Sequence, residues 1–311
     1  RVGNAMYPDH YDRGWHITGS TGTLGAAAAC ARLLKLNEQQ TAMALGIAAS
    51  QPIGMREQFG TMTKPFHPGA AARAGLMSAL MAQQGFTASP KALEAPRGMM
   101  QTVSIKNDWR EITHELGERF EISFNSYKPF ACGIVIHPSI DACAQLRAKG
   151  VRPEQVQRID LRVHSLVLEL TGKKEPVDGL QAKFSVYHGC AAGLTFGFAA
   201  EEEFSDHIVT RDDMVALRRK VVATVDDSID EASADVTATL TDGSTVHVFV
   251  EHAIGSLQNP MTQALLEGKF HGLSDPVLGQ AQTTALINAC WAIGHAANVQ
   301  SIIQLATPKT A

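Results

Sequence analysis

Apolar residues recur with a helical period through most of residues 1–125. Residues 21–35, TGTLGAAAACARLLK, read as a helix rich in Ala and Leu. Asn37 is placed to cap the next helix, EQQTAMALGIAAS. Pro68 fits the first turn of a third helix that runs to about Gln84, with Gly85 just past its end. Ser89-Pro90 reads as a cap and first residue of a short helix. DWREITHELGERF, residues 108–120, reads as an amphipathic helix through Trp109, Ile112 and Leu116.

The pattern then changes. SIDACAQLRAKG (139–150) predicts a helix ended by Gly150. In VQRIDLRVHSL (156–166), Ile159, Leu161 and Val163 alternate with Arg158, Asp160, Arg162 and His164, the period of a half-exposed strand. FSVYHGCAAGLTFGFAA (184–200) returns to helix. ADVTATLTDGSTVHVFVEHA (234–253) is two alternating runs joined at Asp242-Gly243, a hairpin signal. From Asn259 the chain reads as helix again. Strand signals therefore cluster in 127–257 with helical sequence on both sides. This predicts a mainly α protein in which a helical domain (1–126 and 258–311) is interrupted by an inserted α+β domain (127–257).

Composition narrows the function classes. The net charge of -4 over 311 residues gives no basic footprint for nucleic acid and no polybasic membrane patch. No apolar run is long enough to span a bilayer. The five cysteines are widely spaced with no C-x-x-C, which reads as reduced, intracellular thiols and argues against an iron–sulfur or structural zinc site. H-E-x-x-H, EF-hand and G-x-S-x-G patterns are absent, so no metal is expected.

Four stretches carry candidate chemistry. In GTMTKPFHPG (60–69), Lys64 and His67 each precede a proline, which predicts extended backbone at both and a kinked approach to a helix N-terminus. Such an end offers unpaired N–H groups and a positive partial charge, and with two cationic side chains it suits a carboxylate or phosphate. The plainer alternative is a solvated lysine and a structural histidine. RGWHITGSTGTLGAAAA (13–29) places His16 beside Trp15, ahead of Gly19, Gly22 and Gly25. With no preceding strand and no Walker lysine, these glycines fit close helix packing better than a phosphate cradle. YKPFACGIVIHPSIDA (127–142) repeats the K-P…H-P arrangement with Lys128 and His137. AKFSVYHGCAA (182–192) brings Lys183, Tyr187 and His188 to a helix start, where a tyrosine serves as proton donor or simply as a core aromatic. His114, His164, His247 and His252 fall on exposed-looking faces and are given no role.

Taken together, GWHITGSTGTLGAAAA, ALGIAASQ, FGTMTKPFHPGAAARAG, HPSIDA, KFSVYHGCA and GSLQNPMT resemble the MmgE/PrpD family over essentially the whole chain. That family includes 2-methylcitrate dehydratase, cis-aconitate decarboxylase and iminodisuccinate epimerase. The resemblance implies a cytoplasmic, homodimeric enzyme without cofactor, with a large helical domain, an α+β lid and an active site between them. It carries over His16, Lys64, His137 and Tyr187 as catalytic positions, with His67 and Lys128 as substrate-binding neighbours. It also implies a helical segment ahead of the block that opens this chain, which supplies an acidic, His-containing motif. With Arg1 in place of an initiator methionine, that segment is expected upstream or on another polypeptide.

The implied substrates are small di- or tricarboxylates. Removing a proton next to a carboxylate builds negative charge there, so the transition state needs fixed positive charge more than the ground state does. Lys64 would supply it. His137 or His16 would abstract the proton, and Tyr187 or the other histidine would protonate the departing hydroxyl. A hydro-lyase of the methylcitrate type is the first expectation. Decarboxylation or epimerisation by the same groups, or a catalytically silent fragment or subunit, are the alternatives.

Overall fold

In the computed structural model, which describes residues 1–309, helices hold 53% of the chain and the strands form one small four-stranded sheet. The chain is thus mainly helical with a smaller mixed part, as its periodicity predicts. It divides into two compact units, Arg1–Phe124 and Asn125 onward, taken here in turn. The allotment of 258–311 to the helical domain remains an expectation of the sequence pattern.

The first unit is built on three helices, Ile17–Leu33, Glu38–Ala48 and Thr63–Gln83. Asn37 caps the second as expected: its side chain accepts from the Gln40 N–H while the Gln40 side chain reaches back to the Asn37 N–H. Gly85 follows the third helix with φ +85°, a left-handed conformation open to glycine. The first and third helices pack through small residues. A methyl group on Gly75 would lie 2.4 Å from Ala26 Cβ, and one on Gly19 would lie 2.4 Å from the Ile53 carbonyl oxygen. Gly19 and Gly22 are thus packing residues inside a helix.

Three expectations are corrected here. The third helix begins at Thr63, so Lys64 and His67 lie within its first two turns instead of in an extended approach. Pro65 falls in the first turn, where a missing N–H costs nothing, and only Pro68 sits in the interior. The short helix expected at Ser89-Pro90 is a series of turns, followed by an unforeseen helix at Met99–Val103. The helix expected over 108–120 is reduced to Arg110–Thr113, because Glu115 (φ +50°) and Gly117 (φ +96°) turn the chain and leave Leu116 and Phe120 exposed.

The second unit folds around a sheet of order β2-β1-β3-β4, with β1 Val156–Val163, β2 Val221–Val225, β3 Ala234–Leu240 and β4 Thr245–Val250. β1 pairs parallel with β2 and antiparallel with β3, so Leu161 lies opposite both Ala223 and Val236. The predicted alternation holds: Ile159, Leu161 and Val163 are buried, while Arg162 on the other face pairs with Asp226 and Asp235. The hairpin turns at Gly243, φ +85°. Helices His137–Ala148 and Val186–Phe196 pack with this sheet in one core. They cross closely where a methyl group on Gly193 would lie 2.6 Å from the Ile140 carbonyl oxygen. The C-terminal segment continues as helices Gln263–Leu278, Gln280–Trp291 and Gln300–Leu305. Among the described residues no helix is long and apolar enough to cross a membrane.

Candidate functional site

His16 terminates a loop and caps the Ile17–Leu33 helix with extended backbone, φ -81° and ψ 102°. Its N–H donates to the Gly54 carbonyl at 2.9 Å, and the Arg56 N–H donates to the Gly14 carbonyl at 2.8 Å. Residues 14–16 are thereby tied to the 54–56 segment. Gly54 has φ +102°, and a methyl group there would lie 3.0 Å from His67 Nδ1 and 3.2 Å from His16 Cβ. A residue with a side chain would disturb both histidines at once.

That close approach brings the two imidazoles together. His16 Nδ1 and His67 Nδ1 are hydrogen-bonded at 2.8 Å, and both residues are buried. Phe59 packs beside them: its ring and that of His16 meet edge to face at 5.0 Å, and Lys64 Nζ lies 5.0 Å from the same ring's centroid. Burial, followed by the charges of Lys64 and His67, depresses the pKa of His16 from 6.5 to about 4, so its imidazole is neutral at pH 7. Three of the residues picked out in the sequence, His16, Lys64 and His67, therefore form one cluster in the first unit.

One expectation about this cluster is corrected. The helix end beside Lys64 does not present a row of unpaired N–H groups. The Thr63 N–H is taken by Thr61 Oγ1 and the Lys64 N–H by the Thr61 carbonyl, and Pro65 has none. Anion attraction at this end therefore rests on the Lys64 charge and the helix dipole rather than on free amide donors.

The second unit holds the other three. His137 is the first residue of the His137–Ala148 helix and is buried against the edge of Phe130, 5.2 Å between ring centroids. Its Nε2 is buried without a hydrogen-bond partner among the described residues. Burial and the neighbouring Lys128 charge push its pKa down to about 3. Lys128 is exposed as a whole, yet its ammonium is engaged: Nζ donates to the Cys132 carbonyl at 3.0 Å, and the Lys269 ammonium donates to Lys128's own carbonyl at 2.6 Å. Partial burial and the Lys269 charge lower the Lys128 pKa. Lys128 and His137 are thus brought together.

Tyr187 is buried at the start of the Val186–Phe196 helix, with the Lys174 ammonium 6.0 Å from its ring centroid; burial raises its pKa. Among the described residues it makes no hydrogen bond to His137 or Lys128. Its neighbour His188 donates through Nε2 to the Glu203 carbonyl at 2.8 Å, a structural contact, and Lys183 pairs with Glu201. Sequence reading missed Phe59, which no motif spacing marks. It also missed His10, whose Nε2 lies 2.7 Å from Ser20 Oγ, both buried, with its ring stacked on Trp15. Among the described residues no three His, Cys, Asp or Glu side chains converge as a metal site would require.

Comparison with known proteins adds the lineage. The chain is 26% identical to the cis-aconitate decarboxylase-like protein oryM of Aspergillus oryzae, over 98% of this chain and 68% of that protein. It is 25% identical to cis-aconitate decarboxylase of Aspergillus terreus, over 98% of this chain and 67% of that protein. It is also 25% identical to 2-methylcitrate dehydratase of Salmonella typhimurium, over 62% of this chain and 43% of that protein. Residues 1–112 match the model of the MmgE/PrpD N-terminal domain and residues 130–293 that of the MmgE/PrpD C-terminal domain. With both family domains matched in order along its length, this chain belongs to the MmgE/PrpD family.

Proposed function

We propose that this protein is a lyase of small di- or tricarboxylates that moves a proton next to a carboxylate, without a cofactor. The observation that carries the reading is the His16–His67–Lys64 cluster: a buried imidazole held neutral beside a fixed ammonium. A neutral imidazole accepts a proton at pH 7, and a cation beside it stabilises the charge that the departing proton leaves on the substrate carboxylate. Lys64 is assigned to that carboxylate, with His67 beside it. His16 or His137 is the base, and the other histidine or Tyr187 is the acid that protonates the leaving group. Lys128 is assigned as a second carboxylate contact.

Loss of water from a 2-methylcitrate-like substrate is the first reading. Decarboxylation of a cis-aconitate-like substrate is the second, favoured by one observation: the decarboxylase relatives align over 88–98% of this chain and the dehydratase over 62%. The two readings use the same proton-moving groups and differ in the bond broken. Incubation with 2-methylcitrate and with cis-aconitate, following alkene absorbance and released CO₂, separates them. An alkene formed without CO₂ supports the first, and CO₂ from cis-aconitate supports the second. Turnover of neither by the folded protein rejects the proposal. A homodimeric, cytoplasmic setting belongs to the same proposal, and light scattering on the purified protein tests the dimer.

A further inference from the structure

The Nδ1–Nδ1 hydrogen bond between His16 and His67 constrains both rings, whatever the substrate. A hydrogen bond needs one donor and one acceptor. A neutral imidazole carries a proton on one nitrogen and a lone pair on the other. One ring must therefore hold its proton on Nδ1 and leave Nε2 as a lone pair. The partner must accept at Nδ1 and so carry its proton on Nε2. Neither Nε2 makes a hydrogen bond to another described residue. When both rings are neutral, a pair joined in this way presents one proton acceptor and one proton donor.

We propose that His16 and His67 form a two-ring acid–base relay with opposite tautomers, in which His67 is a positioning and relay group for His16 rather than a ligand of the substrate carboxylate. The step balances. A proton leaving substrate carbon binds the Nε2 lone pair of one ring, and the C–H electron pair stays on the substrate. The bridging proton shifts from that ring's Nδ1 to the other ring's Nδ1. The second ring then gives up its Nε2 proton, either to a departing hydroxyl, which leaves as water, or back to carbon. The pair ends neutral with its two tautomers exchanged, and the return of a proton in the opposite direction resets it. Two protonated rings cannot keep this contact, because both Nδ1 atoms would then be donors. The pair therefore carries at most one positive charge, beside Lys64, which supplies another. The roles in catalysis rest on the lyase reading above; the tautomers do not.

The test has two arms. In protein labelled with ¹⁵N-histidine, side-chain NMR at pH 7 should show His16 and His67 as one Nδ1–H and one Nε2–H tautomer, assigned by loss of each signal in His16→Asn and His67→Asn. Two identical tautomers, or two doubly protonated rings, overturn the proposal. In the kinetic arm, asparagine at position 67 places a polar atom near the former Nδ1 but cannot pass a proton onward, and His67→Gln places one near the former Nε2. Both should lower kcat about 100-fold or more, the usual scale for a lost proton-transfer group, with KM near the unsubstituted value. Wild-type kcat in His67→Asn overturns the relay, and a change confined to KM returns His67 to substrate binding. If His67→Asn does not fold, the tautomers of the unsubstituted protein decide. If no carboxylate is turned over while the tautomers are opposite, the lyase reading fails and the tautomer pairing stands.

Discussion

His137 ties the candidate site to acid stability, and the size of the effect follows from its surroundings. The residue is buried, its Nε2 has no partner, and its pKa falls from 6.5 to about 3, through burial first and Lys128 second. Its folded pKa lies below its unfolded one, so between those values the unfolded chain binds more protons. The stability contributed by the neutral imidazole is intact above pH 6.5 and is lost progressively as pH falls toward 3. Between pH 7 and pH 5, the unfolded histidine goes from about one-quarter to nearly fully protonated, while the folded one stays neutral. The cost is about 2 kcal/mol, or roughly 25-fold in the opening equilibrium. His137→Phe removes the titration. Any packing penalty from the larger ring is the same at both pH values and cancels in the difference. The assay is amide hydrogen exchange in β1, whose inward residues share the core with the helix that His137 begins. Protection of β1 should fall about 25-fold less in the variant than in the unsubstituted protein between pH 7 and pH 5, with His188 contributing equally to both. An equal fall in the two proteins would refute the assignment of a neutral, buried imidazole at position 137.

The remaining predictions address the first unit and the thiols. Lys64→Ala should lower kcat/KM by about 100-fold or more while circular dichroism and melting temperature stay close to the unsubstituted protein; unchanged kcat/KM rejects Lys64 as the carboxylate contact. Gly19→Ala pushes a methyl group to 2.4 Å from the Ile53 carbonyl and should cost about 1–3 kcal/mol. Gly25→Ala, in an exposed turn of the same helix with nothing within 4 Å, should instead stabilise by up to about 1 kcal/mol. Melting temperatures moving in the same direction in these two variants would contradict the packing described. A thiol reagent should label Cys290 first, because it is exposed, whereas Cys132, Cys143 and Cys190 are buried and should label only on unfolding. Fast labelling of those three in the native protein would contradict their burial.

What was legible in the sequence was local. Asn37, Gly85, and Asp242-Gly243 each act over a few residues, so their caps and turn could be read directly. β2 was missed because VVATV gains its identity only from parallel pairing with β1, some sixty residues earlier in the chain. The helix starts at Thr63 despite the extended bias of a residue before proline, because a first turn has no N–H to lose at Pro65.

The candidate site follows the same division. His16, Lys64 and His67 were recognisable as residue types suited to proton and carboxylate chemistry, but nothing in their spacing says that the two imidazoles touch. The contact depends on a third segment: Gly54 lies against both rings, and Gly19 brings the Ile53 carbonyl down onto the first turn of the Ile17–Leu33 helix. A methyl group at either glycine would meet atoms at 3.0 Å or less, and the rings are bonded at 2.8 Å, a geometry that tolerates displacement of only a few tenths of an ångström. Glycine at 19 and 54 is thus a requirement of the imidazole pair as much as of the fold. A search for this arrangement in other sequences should ask for the two glycines together with the two histidines, because the histidines alone do not specify the bond.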